Sequence, residues 1–481
     1  MAEDRSCKRS RYTLRTSDRR TFRRCFRKWD YISSMRRNLT RKGAEQNINF
    51  WFGSAIHYAL EDFHGWNLYG DPRKAFYAYY KAFKEEELPE GAEVTYDLGM
   101  AMLSYYLTWY PRYNTATQFE TVWLDAEGNE STPNAPGAYP AVEQKFMLPL
   151  NVSAIVDIET DVTYAQYIPN SENNLEAYDG LGWLFMQEIV EQGFDDEGMT
   201  VKETKTYTWV DAEKKTHPVQ LVPLYYHGTM DRIVKDRFGR WWILDYKTAK
   251  SADTNKLDTD DQISAYIWAA TILFKKPIYG FVYLQLTKDR VHEPKRLKNG
   301  ELSVDKKQKT TYSLLRAEIL NEYGSVDQAP GKLIQFLNEL ASRESPEGDR
   351  FIRWDFIKRS DSQIINTAKA IYGELALMMN PKLYCFPNPT RDCIWDCPVR
   401  EACLAQDRED NDTLELFFKD WEERPRDEDG NVDPWREKLP SPAVIATLPL
   451  DDILNAVECM TIQFDSNAEE SGFKFLYDDE D

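Results

Sequence analysis

The segment LYYHGTMDRIVKDRFGRWWILDYK, residues 224–247, decides the fold class of this chain. Aromatic and β-branched residues dominate 224–234, and a second apolar run begins at Trp241. Between them, residues 235–240 contain Asp, Arg and Gly, which are typical of a turn. Two such runs joined by a short polar turn predict a β-hairpin.

The hairpin brings charged residues together. If Val234 pairs with Trp242, Asp231 lies opposite Asp245. Side chains alternate along a strand, so Asp245 and Lys247 share one face. Two carboxylates directly across a strand pair repel each other, and this arrangement therefore predicts a cation between them.

The chemistry of these residues suits a hard divalent metal. Mg²⁺ and Mn²⁺ bind carboxylate oxygens and share phosphate oxygens with the protein. Beside such a metal, Lys247 would orient an attacking water or neutralise charge that develops on a phosphoryl group. The spacing alone leaves an alternative open, a surface hairpin whose Asp and Lys side chains form solvated pairs.

The segment resembles the PD-(D/E)XK nuclease superfamily, and within it the RecB-like branch of phage exonucleases and CRISPR-associated adaptation nucleases. Gly228, Asp231, Asp245 and Lys247 match the family pattern, with Met230 in place of a proline. The resemblance implies a restriction-endonuclease-like α/β fold, in which helices flank a mixed sheet, with helical additions. It also implies that Asp231, Asp245 and Lys247 are catalytic.

The same resemblance implies a helix with a Gln-x-x-x-Tyr pattern after the lysine strand. Gln262 and Tyr266 match it, and residues four apart share a helix face, so both would contact DNA. A capping box formed by Thr259 and Gln262 is the alternative for Gln262.

Two further positions match the family upstream. His57 lies in a Gly-x-x-Ile-His-x-x-Leu-Glu-like segment, and the resemblance implies that it binds metal together with Asp231 and Asp245. A histidine satisfied within the core is the alternative. Glu143 resembles the glutamate that precedes the catalytic hairpin, and we expect it to be an outer-shell metal ligand or a structural acid.

Cysteines form a second candidate site. The chain has seven cysteines and no apolar signal region, which predicts thiolate ligation in a reducing compartment rather than disulfides. Three soft ligands within a short segment suit zinc or an iron-sulfur cluster. The resemblance implies a [4Fe-4S] cluster, with Cys385 as a rival fourth ligand and zinc as a rival metal. Its four expected ligands are Cys25, Cys393, Cys397 and Cys403.

Composition sets the domain organisation that we expect. Residues 1–406 would form the nuclease domain, with the cysteine segment at 385–403 and an insertion at 151–220 that is partly helical around 181–190. Residues 407–481 would be an acidic appendix, partly disordered. The net charge is −20, yet residues 1–43 hold 15 Lys/Arg against 4 Asp/Glu. This basic arm would track phosphates.

These observations predict a cytoplasmic, metal-dependent DNA nuclease with Mg²⁺ or Mn²⁺ as cofactor. No apolar run is long enough to span a membrane. By resemblance, the enzyme would be an exonuclease acting on single-stranded DNA or DNA ends in phage recombination or replication, with proteins of those processes as partners and in the host cytoplasm if phage-encoded. A structure-specific endonuclease and a non-catalytic DNA-binding scaffold are the alternatives.

Overall fold

The predicted hairpin lies at the centre of the protein. Its strands are Thr216–Lys235 and Trp241–Ala249. Val234 pairs with Trp242, which confirms the predicted register. In the turn, Gly239 has a φ of +78°, a conformation that glycine adopts without steric cost.

The computed structural model of the protein describes residues 13–42, 47–84, 88–160, 162–167, 182–195, 198–251, 257–380, 383–395, 397–423 and 444–445. The strands are, in chain order, β1 (Thr13–Arg15), β2 (Leu39–Arg41), β3 (Glu120–Thr121), β4 (Trp123–Leu124), β5 (Glu130–Ser131), β6 (Tyr139–Pro140), β7 (Val142–Asp157), β8 (Thr163–Tyr167), β9 (Gly182–Asp195), β10 (Gly198–Asp211), β11 (Thr216–Lys235), β12 (Trp241–Ala249), β13 (Ile278–Thr287), β14 (Ile352–Ile357), β15 (Trp421–Glu423) and β16 (Val444–Ile445).

The α-helices are α1 (Thr16–Arg24), α2 (Phe26–Ile32), α3 (Ile48–Glu61), α4 (Pro72–Lys81), α5 (Ala92–Thr117), α6 (Asp261–Phe274), α7 (Tyr312–Tyr323), α8 (Gly331–Ala341), α9 (Asp361–Met378), α10 (Asp392–Trp395), α11 (Arg400–Asp407) and α12 (Asn411–Lys419). A π-helical turn, Asp62–Trp66, follows α3, and a 3₁₀ turn, Val326–Gln328, precedes α8.

The main sheet is mixed and has eleven strands, with the order β14-β13-β12-β11-β10-β9 along its principal path. Strand β7 runs antiparallel to β11, and β1 runs parallel to it. Strands β12 and β13 are parallel, and α6 connects them. Parallel neighbours require such a crossover, which places a helix on the face of the sheet.

Helices cover both faces of this sheet. One apolar core contains residues of α6 and α9 packed on β7, β11 and β12. A second core contains residues of α3, α4 and α5 packed on β12, β13 and β14. Strand β12 is buried from Trp241 to Tyr246 because both layers contact it. The predicted fold class, a mixed α/β sheet flanked by helices, is confirmed.

The helix expected around residues 181–190 is wrong, because residues 182–190 belong to β9, which pairs with β10 along its whole length. Leu184 is buried, whereas its neighbours Trp183 and Phe185 are exposed. Leu184 packs against Trp209 and Val219. This alternation of burial is the signature of a strand with one covered face. The sequence does not show it, because Trp183, Leu184 and Phe185 are all apolar whether buried or exposed.

Ion pairs hold the basic N-terminal segment in place. Arg19 is fully buried and pairs with Asp261 and Glu374, and Arg23 pairs with the same two acids. Three more arginines of α1 and α2 pair with acids elsewhere in the chain; these are Arg20 with Asp260, Arg24 with Asp392, and Arg27 with Asp407. Arg36 and Arg37 pair with Asp30 inside the segment. Five arginines of the described residues therefore fasten the segment to the rest of the protein.

The chain continues past residue 406 into α12 and β15. Strand β15 pairs with β2, and β16 pairs with β7. The rest of the expected appendix, residues 424–443 and 446–481, lies outside the described residues. Within the described segments, every helix is too short or too polar to span a lipid bilayer.

Candidate metal centre

Three side chains from three different elements meet at the middle of the sheet. His57 from α3, Glu143 from β7 and Asp231 from β11 place one ligand atom each within 4.8 Å of one another. His57 Nδ1 lies 3.5 Å from Glu143 Oε1 and 3.4 Å from Asp231 Oδ2. All three side chains are largely buried, so any cation they hold would be shielded from bulk water.

Asp245 and Lys247 lie beside this cluster on β12. Lys247 Nζ is 2.9 Å from Asp245 Oδ2, and the backbone N–H of Tyr246 donates to Asp231 Oδ2 over 2.8 Å. Burial disfavours the charged form of Lys247, but the carboxylates of Asp245 and Asp231 outweigh it and raise its pKa. Lys247 is therefore an ammonium ion that is held next to the acids.

The cluster carries negative charge that its neighbours do not fully neutralise. Burial raises the pKa of Asp231 to about 7, and the carboxylates of Asp245 and Glu143 act in the same direction. For His57, burial lowers the pKa, but Asp231 and Glu143 outweigh burial and raise it. Without a metal, protons on Asp231 and His57 therefore neutralise part of the negative charge of the cluster.

The donor set fits a divalent metal. Two carboxylates and an imidazole within ligand reach of one point, with a third carboxylate adjacent, suit Mg²⁺ or Mn²⁺. Binding such an ion would relieve the repulsion between the acids and would displace the protons.

Sequence reasoning gave Glu143 a secondary role, yet the structure brings it as close to His57 as Asp231 is. Glu143 has a φ of +45°, in the left-handed region that non-glycine residues rarely adopt. Backbone strain of this kind is concentrated at functional sites. The only sequence signal was a glutamate at the start of a predicted strand, which says nothing about a positive φ.

The predicted helix with Gln262 and Tyr266 is α6. Its N-cap is Asp260, whose side chain accepts the backbone N–H of Gln262 over 3.0 Å. The alternative capping box with Thr259 as N-cap is therefore wrong. Tyr266 is buried, and its ring packs edge-on against Phe146 at 5.6 Å.

Gly228 lies under Tyr266. A Cβ atom at Gly228 would lie 2.7 Å from the Phe146 ring and 3.1 Å from the Tyr266 hydroxyl. Glycine is needed at this position because a larger residue would push both aromatic rings away. Gly228, Gln262 and Tyr266 also line one cavity.

The expected cluster cysteines lie at the junction of α2 with α10 and α11. Cys25 Sγ accepts the backbone N–H groups of Lys28 and Asn388, each over 3.4 Å. Cys403 Sγ lies 3.6 Å from Arg27 Nη1. The N-terminal segment and the cysteine segment are therefore in direct contact.

Cys25 contributes to the pKa shifts of two C-terminal cysteines. Burial raises the pKa of Cys397, and Cys393 and Cys25 add to the rise; burial also raises the pKa of Cys403, again with Cys25 contributing. For Cys385, burial and Asp30 raise the pKa, and Arg36 and Arg37 oppose the rise.

A family of known proteins matches part of this chain. No curated protein matches the chain significantly. His57, Glu143 and Cys25 precede the matched region, whereas the hairpin, α6 and the C-terminal cysteines lie within it. The sequence model of the PD-(D/E)XK nuclease superfamily matches residues 182–404 of this chain.

Proposed function

We propose that the protein is a divalent-metal-dependent DNA nuclease that hydrolyses phosphodiester bonds as an exonuclease at DNA ends. The observation that carries this proposal is the buried cluster of His57, Glu143 and Asp231 next to the Asp245–Lys247 pair. Its hairpin lies within the segment that matches a nuclease superfamily.

In this mechanism, His57, Glu143 and Asp231 hold the metal, with Asp245 as a further ligand. A bound Mg²⁺ or Mn²⁺ would supply electrophilic activation of the phosphoryl group. The Lys247 ammonium orients the attacking water and offsets the charge that develops on the phosphate. Gln262 and Tyr266, one helical turn apart on α6, position the substrate strand.

The substrate and setting follow from the resemblance to the RecB-like branch. We infer single-stranded DNA or DNA ends as substrate, in phage recombination or replication, with proteins of those processes as partners. The cytoplasm, of the host where the chain is phage-encoded, is the expected compartment.

We also infer a [4Fe-4S] cluster held by Cys25, Cys393, Cys397 and Cys403, with zinc as the rival metal. The contact of the two segments supports Cys25 as a ligand, since Cys25 Sγ accepts the backbone N–H of Asn388 and the neighbouring Arg27 reaches Cys403. The cluster would be structural, because it would join the start of the chain to the end of the matched segment.

The test is digestion of DNA labelled at either end, single-stranded and double-stranded, in the presence of Mn²⁺ or Mg²⁺. Wild type should shorten linear DNA from an end and leave circular DNA intact. Lys247→Ala should reduce the rate by roughly 10²-fold or more. Lys276→Ala is the control, because Lys276 is exposed and pairs with Glu130 away from the centre.

Each contrary result has a defined meaning. Cleavage of circular DNA would identify an endonuclease. DNA binding without cleavage under any metal would instead support a non-catalytic scaffold. Equal rates for Lys247→Ala and wild type would remove Lys247 from the mechanism.

A further inference from the structure

A groove of about 490 Å³ lies beside the candidate metal centre. One wall comes from Arg15, the last residue of β1, and from Ser17 and Arg20 of α1, and the other from Gln262 and Tyr266 of α6. Its floor is β11 immediately before Asp231. The groove therefore joins the basic N-terminal segment to the residues that would position the substrate strand.

The lining of the groove is complementary to an anion. Its described lining residues include Arg15, Arg20 and several hydroxyl side chains, and none of them is a carboxylate. The metal centre next to it is rich in carboxylates, so the two sites differ sharply in charge. Guanidinium and hydroxyl groups are typical donors to phosphate oxygens.

Arg15 differs from the other arginines near it. Arg19, Arg20 and Arg23 all pair with acids of α6, its N-cap or α9. No carboxylate of the described residues pairs with the guanidinium of Arg15, and its Nε is buried without a hydrogen-bond partner. Its charge remains for a ligand in the groove.

The position of Arg15 relative to the metal centre follows from the sheet. Arg15 pairs with His227 in the parallel register of β1 and β11, four residues before Asp231. At about 3.3 Å per residue, this is ~13 Å along the strand. One strand of B-form DNA rises 3.4 Å per nucleotide, so the groove lies about four nucleotides or fewer from the metal centre.

We propose that this groove binds a phosphate of the substrate strand that flanks the scissile phosphate, with Arg15 as its charged donor. The hydroxyl of Ser17 is a further donor. The inference rests on the proposed nuclease function and adds to it a phosphate-binding residue that acts independently of base sequence. Arg15 binds and positions the strand, and it takes no part in the chemistry.

The test measures binding rather than cleavage. The full chain is titrated with a short labelled single-stranded oligonucleotide in Ca²⁺, at several salt concentrations, and the oligonucleotide is checked to be intact. Arg15→Gln should weaken binding by roughly tenfold or more, the loss of one charged hydrogen-bonding contact. It should also reduce the slope of log Kd against log salt by about 0.7, the value for one phosphate on a single strand.

Three variants complete the design. Arg15→Lys should keep the salt slope because it keeps the charge. Arg37→Gln removes the same charge from the same segment but pairs with Asp30 outside the groove, and it should change neither quantity. Ser17→Ala, at an exposed position, should weaken binding by about 2- to 10-fold and serves if Arg15→Gln does not fold.

Oligonucleotides with a 5′-phosphate, a 3′-phosphate or neither show whether the groove binds an internal phosphodiester or a terminal phosphate. Equal loss for all three in Arg15→Gln identifies an internal phosphodiester, and loss confined to one phosphorylated end identifies a terminal phosphate. Both results support a phosphate site.

An unchanged Kd and salt slope in folded Arg15→Gln, or in Ser17→Ala where Arg15→Gln does not fold, would overturn the groove proposal and leave the nuclease proposal intact. Conversely, dependence on Arg15 without cleavage would reject only the nuclease. A wild-type protein that does not bind DNA would reject both.

Discussion

At the scale of single residues, Asp231 is at the centre of the site. It accepts the N–H of Tyr246, lies against His57, and repels the carboxylates of Asp245 and Glu143. Its position therefore links the hairpin to α3 and β7. A bound cation would coordinate these carboxylates and remove the repulsion between them. Metal removal should therefore destabilise this cluster more than it would a surface acidic patch.

Metal removal should give the protein an unusual dependence of stability on pH. The folded-state pKa values of Asp231 and His57 are raised, so the metal-free folded state binds more protons than the unfolded chain. The stabilising contribution of Asp231 is present below about pH 4 and is lost as pH rises through 7. That of His57 is present below about pH 6.5 and is lost as pH rises above this value.

In EDTA, wild type should therefore lose melting temperature between pH 5 and pH 8 relative to Asp231→Asn, which cannot titrate at this position. Adding Mn²⁺ at pH 8 should restore the loss in wild type alone. Parallel pH profiles for the two proteins would show that Asp231 does not titrate in this range.

Glu143 should be a metal ligand. Glu143→Gln is expected to weaken Mn²⁺ binding by roughly 10- to 100-fold, the range found when groups around a metal are replaced, and to slow cleavage accordingly. Calorimetric titration with Mn²⁺ measures the affinity. Glu130→Gln, which breaks exposed pairs with Lys235 and Lys276, is the control. Unchanged affinity in Glu143→Gln would limit Glu143 to a structural role.

At the scale of elements, the site depends on how closely α6 approaches β7 and β11. Phe146 of β7 and Tyr266 of α6 meet edge-on directly over Gly228. Helix α1 is fastened to the N-terminus of α6 by the pair of Arg20 with Asp260, 2.6 Å long, and to α9 through Glu374. The same contacts that shape the groove hold the strand-positioning helix in place.

Gly228→Ala should destabilise the protein by about 1–3 kcal/mol, because the added methyl group overlaps the Phe146 ring in a packed core. Gly373→Ala is the matched control: its Cβ meets no atom within 4 Å, and alanine in a helix is favoured over glycine by roughly 1 kcal/mol. Urea denaturation of both variants measures the difference. Equal stability of Gly228→Ala and wild type would mean that Phe146 moves freely.

At the scale of the whole molecule, the N-terminal segment meets residues 399–423. Arg27 of α2 pairs with Asp407 and donates to the carbonyl of Cys403, while Tyr31 of α2 packs with Val399 and Ala402. Strands β2 and β15 extend this contact. A metal cluster at this junction would close a loop of most of the chain and so stabilise the whole fold.

Replacing Cys25 should therefore have a different effect from replacing Cys385. Cys25→Ser is expected to lose iron and sulfide from anaerobically purified protein and to lower the melting temperature, whereas Cys385→Ser should keep both. Elemental analysis with calorimetric melting measures this. Loss of metal in Cys385→Ser alone would make Cys385 the fourth ligand, and zinc in place of iron would identify the rival metal.

The sequence by itself determined what depends on local pattern. Alternating apolar residues and a polar turn were sufficient for the hairpin and its register, and the apolar stretch after Asp260 for the helix of Gln262. Periodicity is a property of residues that are close in sequence, so it can be recognised without knowledge of the fold. It failed at β9, where the exposed neighbours of Leu184 are as apolar as Leu184 itself, so the sequence shows no alternation.

Only the tertiary structure decided which distant residues meet. His57, Glu143 and Asp231 come from separate elements, and their ligand atoms converge because α3 and β7 both pack on β11. Tertiary structure also sets Arg15 apart. Acids of α6 and α9 form ion pairs with the neighbouring arginines Arg19 and Arg23, and no such pair with Arg15 is found among the described residues. Such proximity is set by packing across the sheet, and no spacing along the chain encodes it.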